Sequence, residues 1–564
     1  MNAETFCEHF ATFADAPNGV QKLRAMILQL AVQGKLVPQD PNDEPASKLL
    51  GRISADQKRR EAEESARTQK ALPPISADEI LYELPDGWAW GRLGNIGDTN
   101  IGLTYSPQDV GETGVPVLRS SNIQNGRIDL TDLVRVSMDP KSSVLVADGD
   151  LLICARNGSR ALVGKVAMIE HLSEKTAFGA FMAILRSSIN EYLYHFICSP
   201  LFRRVIADTN TTTINQITQS NLRSTLAPIP PLAEQRRIVE KVDQLLGLCD
   251  ELAARQAAQR EKRQRLVGAT LDRLVSTRNA AEFPTHAHRL RNHFDQLFDT
   301  PTTIPQLRQT ILQLAVQGQL VPQDPDDEPA TDTVRRVEHE RRTLIADGKL
   351  REEKLLLPTI EPSSTSMPLG WADVRLGHII NCLDHIRRPV SKQERETKRG
   401  KYPYYGANGQ VGWIDDFLFD EDLVLVVEDE SFIGRIKPFS YKITGKTWVN
   451  NHAHVLQPTV AVDADFLNYA LSFYPFTPLT SGTTNRKKLT KAGLMNAPFQ
   501  LPPLAEQKRI AWKVTELLSL CDALEAKLTQ AESASTQLLS AAVDSLLTNS
   551  TTAAMSTALR EGVS

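Results

Sequence analysis

The chain lacks the features of a membrane protein and of a secreted protein. No apolar run approaches the roughly 20 residues that span a bilayer, and the longest candidate, residues 423–427, has the length of a buried strand. The first residues contain no basic stretch followed by an apolar block, so we expect no secretory signal. Six cysteines occur without a CxxC pair, which is typical of reduced thiols. We therefore expect a cytoplasmic protein without a disulfide framework or a zinc site.

The sequence also has little excess charge and lacks catalytic motifs. Its formal net charge is −4, which counts mildly against nucleic-acid binding unless basic residues are concentrated locally. The TGKT run at 444–447 lacks the earlier glycine and the strand–loop–helix context of a phosphate loop. His452 and His454 would share one face of a strand, but no third ligand is near them in the sequence, so we expect no metal there.

What the chain has instead is an internal repeat. Three segments recur in the same order, and they are 23–47 with 307–331, 85–94 with 368–377, and 230–238 with 502–510. In the first pair, 20 of 25 positions are identical. The chain is therefore a tandem duplication of a unit of about 280 residues.

Each copy has the same order of elements, which predicts an α+β fold. An amphipathic helix is followed by a charged helical stretch, a strand-rich globular segment and a long helix. The predicted domains are an N-terminal helical segment (1–80), a first globular domain (85–228), a central long helix (232–275), a linker with the repeated helical segment (276–360), a second globular domain (368–500), a C-terminal long helix (504–548) and a disordered tail (549–564).

The two long helices share one hydrophobic register with the 4-3 spacing of a coiled coil. The seam residues are Ile238, Val242, Leu245, Cys249 and Leu252 in the first helix, and Ile510, Val514, Leu517, Cys521 and Leu524 in the second. We expect the helices to form an antiparallel coiled coil on a pseudo-two-fold axis between the two halves. The alternative is a scaffold without DNA affinity.

The two globular segments keep a common hydrophobic frame but differ in the polar residues between the strands. The aligned pairs are 148–158 with 420–430 and 176–185 with 447–456. In this alignment the turn at 156–159, RNGS, stands where the second copy has the acidic run 428–431. Because duplex DNA has local two-fold symmetry, two copies can read two half-sites. Different polar faces predict an asymmetric, two-part target.

The order of variable segment, PPLAEQ-led helix, second variable segment and second PPLAEQ-led helix resembles the specificity subunits of type I restriction–modification enzymes. Residues 115–136 resemble one target-recognition domain of that family, and residues 402–427 resemble another type. The resemblance covers nearly the whole chain and implies two target-recognition domains joined by long helices. It also implies a chain that binds double-stranded DNA in phage defence and chooses the sequence for methylation and restriction.

The same resemblance implies partner chains and their cofactors. Two methyltransferase subunits would use S-adenosylmethionine to methylate adenine, and two motor–nuclease subunits would use ATP and Mg. We expect none of these cofactors, no catalysis and no membrane contact for this chain. The segments 1–70 and 285–360 depart from the shortest family members and are candidates for docking. The alternative is a self-contained DNA methyltransferase or nuclease with fused recognition domains, against which the missing cofactor and phosphate motifs argue.

Polar side chains on a rigid frame read base edges, while basic residues and hydroxyls bind phosphates. In the first domain the candidate DNA-binding residues are Arg119, Ser120, Asn122, Gln124, Arg156, Asn157, Ser159, Thr211 and Thr212. The alternative is a structural role in turns, because Asn125-Gly126 and Asn157-Gly158 are strong turn dipeptides.

In the second domain the candidates form an aromatic–polar loop and a basic patch. They are Tyr404, Tyr405, Asn408 and Gln410 in the loop, and Thr483, Thr484, Asn485, Arg486, Lys487 and Lys488 in the patch. The alternatives are that Tyr404 or Tyr405 lies in the core and that the patch is merely solvated. For Glu428 we favour a solvated or ion-paired role.

Overall fold

The computed structural model describes residues 14–63, 71–208, 215–277, 282–347, 367–428, 432, 437–482 and 487–549. The chain forms two compact units, with unit 1 made of residues 1–260 and 531–564 and unit 2 made of residues 261–530. Both units combine helices with mixed sheets, so the predicted α+β class is confirmed. No helix within the described ranges is long and apolar enough to cross a bilayer.

Unit 1 contains a short helical part and a strand-rich part. Its helices are α1 (Gly19–Val32), α2 (Ala46–Glu63), α3 (Leu93–Ile96), α4 (Asn190–Cys198), α5 (Pro200–Asp208), α6 (Gln219–Ser224) and most of α7 (Leu232–Ser276). Its strands are β1 (Ala89–Arg92), β2 (Asp98–Ile101), β3 (Val110–Gly111), β4 (Val115–Leu118), β5 (Ile123–Gln124), β6 (Arg127–Ile128), β7 (Val134–Val136), β8 (Leu151–Cys154), β9 (Val166–Met168), β10 (Ala177–Phe178), β11 (Met182–Arg186) and β12 (Leu226–Ile229).

Unit 2 has the same sequence of parts. Its helices are α8 (Phe283–Asn292), α9 (Phe294–Leu297), α10 (Ile304–Val316), α11 (Ala330–Ala346), α12 (Leu376–Ile379), α13 (Lys392–Thr397), α14 (Ala464–Ser472), α15 (Lys491–Met495) and most of α16 (Leu504–Asn549). Its strands are β13 (Ala372–Arg375), β14 (Ile380–Cys382), β15 (Tyr402–Gly406), β16 (Gly409–Ile414), β17 (Phe419–Asp420), β18 (Leu423–Val427), β19 (Ser440–Ile443), β20 (Lys446–Val449), β21 (Ala453–Pro458), β22 (Thr480–Ser481), β23 (Lys488–Leu489) and β24 (Pro498–Leu501).

The sheets repeat the same topology in both units. The antiparallel order β2-β11-β8-β9 of unit 1 corresponds to β14-β21-β18-β19 of unit 2. In the other large sheet, β4 pairs in parallel with β10 and antiparallel with β7, as β15 does with β20 and β16. In unit 1, candidate DNA-binding segments follow β4 and β8. In unit 2, the candidate loop lies in and directly after β15, and the described end of the basic patch reaches into β23. The segments at β4 and β15 therefore occupy equivalent places in the two frames.

The register of the sheets corrects the sequence alignment by one residue. Met182 lies opposite Cys154, and His454 lies opposite Val426. When Cys154 is aligned with Val426, Met182 corresponds to His454. The sequence alignment had instead paired Met182 with Ala453. Both side chains are 1% exposed, so a buried thioether of unit 1 is replaced by a buried imidazole in unit 2.

The seam of the long helices is buried, in part under short helices. Ile238 and Val242 are 0% exposed, in a core that also holds Leu539 and Ala542 of α16. Arg24 of α1 forms an ion pair with Asp250 of α7, and Arg308 of α10 does the same with Asp522 of α16. The amphipathic helix that opens each repeat is therefore docked along its own long helix.

The three repeated segments of unit 1 meet at one buried cluster, which we call the helix joint. Trp88 Nε1 donates a hydrogen bond to Glu234 at 3.0 Å, and Gln39 Nε2 donates to the same carboxylate at 3.3 Å. Arg237, one turn along α7, pairs with Asp43 at 2.6 Å. Glu234 is 1% exposed. Glu234, the acidic residue of the PPLAEQ run, therefore connects the three repeated segments. This role is additional to any favourable interaction with the helix dipole.

Unit 2 contains the same joint built from the second copy. Trp371 Nε1 donates to Glu506 at 3.0 Å, Gln323 Nε2 donates to Glu506 at 3.4 Å, and Arg509 pairs with Asp327 at 2.6 Å. Burial raises the pKa of Glu506, as it does that of Glu234 in unit 1, although the hydrogen bonds from Trp and Gln lower it. The repeated residues are therefore those that anchor the short helices to the long ones.

The turn after α1, which lies against the helix joint, requires glycine. Gly34 has a φ of +69°, and a Cβ atom there would lie 3.0 Å from Cζ2 of Trp88. The corresponding Gly318 has a φ of +68° and faces Trp371 in the same way. A left-handed backbone and a close indole ring both exclude larger residues.

Candidate nucleic-acid interface

In unit 1, the two polar turns predicted to contact DNA lie side by side. Asn157 Nδ2, after β8, donates to Ser120 Oγ, after β4, at 3.3 Å. Arg119 is half-buried and pairs with the exposed Asp132 at 3.1 Å. Gln124 and Ser159 are exposed at the edges of these turns. The structure therefore brings residues 37 positions apart in the chain onto one surface.

Asn122 has a structural role, which corrects the prediction that it reads DNA. Its side chain is 1% exposed. Its Nδ2 donates to the carbonyl oxygens of Asp129 and Asp132 at 3.0 and 2.9 Å, and its Oδ1 accepts the N–H of Arg119 at 2.9 Å. Because the amide is buried and fully used, it is not available to a base edge.

Arg156 is exposed, and its guanidinium carbon lies 5.1 Å from the centroid of the Phe181 ring. Phe181 is itself 58% exposed. The sequence analysis missed Phe181, because an aromatic residue next to a strand-like apolar pattern is usually interpreted as core. Only its exposure beside a polar turn identifies it as part of the candidate interface.

Six predicted residues lie outside the described part of the chain. They are Thr211, Thr212, Thr483, Thr484, Asn485 and Arg486. The described chain resumes at Asn215, whose Nδ2 donates to the carbonyl oxygen of Gly158 at 3.1 Å. Asn215 is therefore adjacent to the turn that contains Arg156.

In unit 2, Tyr404 belongs to the core, which resolves the alternative left open by the sequence. It is 2% exposed, and its hydroxyl accepts the N–H of Val390 at 3.1 Å. Arg395 lies over its ring at 4.6 Å. The neighbouring Tyr405 is half-buried, with its ring centroid 5.9 Å from that of Tyr441. Tyr404 is therefore removed from the candidate contacts, whereas Tyr405 stays a prediction.

The hairpin of β15 and β16 exposes both polar and apolar side chains. Asn408 lies in the turn and Gln410 at the start of β16, and both are exposed. Val411 and Trp413 are 52% and 56% exposed and lie two residues apart on this edge strand. The hairpin therefore presents a mixed surface that fits a groove better than bulk solvent.

A basic stretch beside this hairpin was missed by the sequence analysis. Residues 387–401 contain seven Lys or Arg and two Glu, and most of these side chains are exposed. Examples are Arg388 and Arg399 on the loops flanking α13, and Lys392 at its first position. Counting charge in short windows would have found this stretch, since it is at least as basic as the predicted patch at 483–488.

Lys488 forms an ion pair with Glu428, which lies at the end of β18. The Lys488 Nζ is 2.8 Å from the carboxylate, and Arg387 contacts the same carboxylate from the other side. Burial raises the pKa of Glu428, but the hydrogen bonds from Lys488 and Arg387 and the charge of His454 outweigh it, so the pKa lies below its usual value. Glu428 is 6% exposed. It is therefore ion-paired, as we favoured from the sequence.

His454 has neighbours that the sequence did not reveal. Its Nδ1 lies 2.6 Å from Asp384, its Nε2 lies 2.8 Å from the carbonyl oxygen of Leu489, and Cys382 completes a cluster of possible metal ligands. Burial raises the pKa of the Cys382 thiol to about 12. Both ring nitrogens face acceptors, so Asp384 and His454 form a buried hydrogen-bonded cluster beside Cys382.

Comparison with known proteins identifies the family. The model of the type I restriction modification DNA specificity domain matches residues 85–261 and 368–532. The specificity subunit of the type I restriction enzyme EcoAI of Escherichia coli is 32% identical over 562 residues, with 94% of each chain covered. The chain belongs to the family of type I restriction–modification specificity subunits. The EcoEI specificity subunit, also of Escherichia coli, is 29% identical with 94% of each chain covered.

A solved HsdS subunit of Thermoanaerobacter tengcongensis is 19% identical, with 81% of this chain and 98% of that chain covered and a TM-score of 0.36. In the present chain, the two segments that match the family model coincide with the two strand-rich parts and the first portions of α7 and α16. The function is therefore that of a DNA sequence-specificity subunit, with one target-recognition domain in each unit.

Proposed function

We propose that the chain recognises an asymmetric, two-part DNA target, one half with each target-recognition domain, and performs no chemistry itself. The observation that carries the proposal is a common sheet frame whose equivalent turns expose different side chains. The turn after β8 presents Arg156, whereas the equivalent turn after β18 has Glu428 buried in ion pairs. Two such surfaces are suited to two different half-sites.

In unit 1 the proposed contacts are Arg119, Ser120, Gln124, Arg156, Asn157 and Ser159, with Thr211 and Thr212. In unit 2 they are Tyr405, Asn408, Gln410, Lys487 and Lys488, with the residues at 483–486 and the basic stretch at 388–401 as phosphate contacts. A formal net charge of −4 is compatible with DNA binding if these basic residues are concentrated on the DNA-facing side.

The chemistry is assigned to partner chains in the cytoplasm. Two methyltransferase subunits bind S-adenosylmethionine and methylate adenine, and two motor–nuclease subunits use ATP and Mg. The family membership supports this assignment. The amphipathic helices α1 and α10, docked on the long helices through Arg24 and Arg308, are candidate partner-binding elements.

The test is to purify the chain alone and together with the methyltransferase encoded beside it. We expect no methyl transfer from S-adenosylmethionine by the chain alone, and methylation of adenine in one two-part sequence by the complex. Mapping methylated adenines in DNA exposed to each preparation gives the answer. Methyl transfer by the isolated chain would support a self-contained enzyme and overturn the proposal.

A further inference from the structure

The backbone of Phe181, whose ring is exposed, is held in place at the candidate interface of unit 1. Its carbonyl oxygen accepts the N–H groups of Ala155 and Arg156 at 2.9 and 3.0 Å. The preceding Gly179 donates its N–H to the carbonyl oxygen of Leu118 at 2.9 Å. Phe181 therefore lies where β4 and β8 end and β11 begins. A large apolar side chain 58% exposed at such a rigid site gains little stability from its position.

The guanidinium of Arg156 lies over this ring. Within the part of the chain that the structure describes, its guanidinium forms no hydrogen bond or ion pair, and its contact is the Phe181 ring at 5.1 Å. A guanidinium against an aromatic face loses freedom of orientation while its N–H groups at the edge stay available. By contrast, Arg119 is paired with Asp132.

The polar side chains of Ser120 and Asn157 beside Arg156 are already engaged. Ser120 Oγ accepts a hydrogen bond from Asn157 at 3.3 Å, and Asn157 Oδ1 accepts the N–H of Ser159 at 3.0 Å. A planar fork of donors in a fixed orientation matches the O6 and N7 acceptors of guanine in the major groove. Binding to a single point charge would not require the guanidinium to be held in one orientation.

We propose that Arg156 reads a guanine in the half-site of unit 1 and that Phe181 is the positioning residue that orients it. The inference rests on the proposed function and adds the chemistry of one base contact. The equivalent position of unit 2 holds Glu428, which is buried in ion pairs, so the same contact is absent from the equivalent described turn of unit 2. The competing assignment for Arg156 is a phosphate contact, which carries no sequence information.

The experiment uses the complex of the full chain with its methyltransferase. Competition binding is measured with duplexes in which each base pair of the first half-site is changed in turn. We expect R156K to reduce discrimination at one G·C pair by about tenfold to a hundredfold, because lysine has no planar fork. F181A is expected to reduce discrimination at the same pair by less, and F181Y to retain it because the ring remains.

Arg160 provides the matched control, since it is exposed in the same turn. R160A should leave discrimination at every base pair unchanged. Uniform weakening by R156K across all duplexes would reassign Arg156 to a phosphate and overturn the inference, as would relaxation at an A·T pair or an F181A complex that discriminates like the native one. In each of these cases the native complex still recognises a two-part target. If the native complex recognises none, the proposed function itself fails.

Discussion

The turn after β8 in unit 1 and the turn after β18 in unit 2 occupy the same place in the sheet and have opposite characters. The N–H of Arg156 donates to the carbonyl oxygen of Phe181 at 3.0 Å, and the N–H of Glu428 donates to that of His452 at 3.1 Å. Yet Arg156 is exposed, whereas Glu428 is 6% exposed and paired with Arg387 and Lys488. The backbone frame therefore does not determine whether a residue at this place is exposed or buried in ion pairs.

The helix joints, in contrast to the turns, have the same residues and geometry in both units. The Trp88–Glu234 and Trp371–Glu506 hydrogen bonds are both 3.0 Å long, and both carboxylates are nearly fully buried. Identity is retained where a buried geometry must be reproduced, and side chains vary on the equivalent turns. This contrast supports a division between a constant scaffold and two different reading surfaces.

The strongest test of this division exchanges a whole domain. Replacing residues 85–228 with the equivalent domain of another specificity subunit should change one half of the methylated sequence and leave the other half intact, because the joints at both ends are common. Mapping methylated adenines measures the outcome, and exchanging 368–500 is the matched control for the other half. A change in both halves would contradict the division.

Truncating the tryptophans tests whether the joints are energetically equal. W88A and W371A should each lower the free energy of unfolding by about 3–5 kcal/mol, because each leaves a cavity and a buried carboxylate without its donor. Denaturant unfolding, with hydrogen exchange to locate the affected unit, measures the loss. W413A, at a 56% exposed ring, is the control and should stay within about 0.5 kcal/mol. Unequal losses at the two joints would argue against a common scaffold.

Matched substitutions at the equivalent turns test the difference in role. E428Q should destabilise unit 2 by about 3 kcal/mol, because it removes a buried charge that Arg387 requires. R156Q should change stability by no more than about 0.5 kcal/mol, since Arg156 is exposed, while it weakens DNA recognition. The readouts are denaturant unfolding and DNA binding by the complex. Equal loss of stability in both variants would contradict the assigned roles.

The smallest expected effects are in the pH dependence of stability, and they have opposite signs. The pKa of Glu428 is lowered on folding, so its contribution is present above the ordinary value of 4.5 and is lost as the pH falls through the lower folded value. The pKa values of Glu234 and Glu506 are raised, so their contribution is present below 4.5 and is lost as the pH rises through the higher folded value.

Native protein and Gln variants compared by thermal unfolding should reveal both signs. The deficit of E428Q relative to the native protein should shrink as the pH falls below 4.5. The advantage of the native protein over E234Q should grow as the pH falls from neutral toward 4.5. Parallel profiles for the two variants would show that the two carboxylates do not differ as the structure indicates.

The order of elements could be predicted from the sequence because it depends on local patterns. The long helices were expected at 232–275 and 504–548, and they occupy Leu232–Ser276 and Leu504–Asn549. The linker that opens the predicted segment 276–360 contains a helix, Phe283–Asn292, that the sequence patterns did not predict. The few apolar residues of this helix produce only a weak hydrophobic periodicity in the sequence. The pseudo-two-fold arrangement of the halves and the antiparallel pairing of the long helices stay predictions.

The sequence by itself determined that the chain is a duplication, that each copy ends in a long helix with a heptad seam, and that the two copies differ in the polar turns between shared strands. These properties follow from periodicity and from comparison of the chain with itself. Only the tertiary structure decided which polar residues are buried and which are exposed. Asn122 and Tyr404 became structural, Phe181 became a surface residue, and Asp384 came to lie beside His454. The reason is physical, because burial and hydrogen bonding between residues distant in the chain depend on how strands and turns pack, and no local pattern encodes that packing.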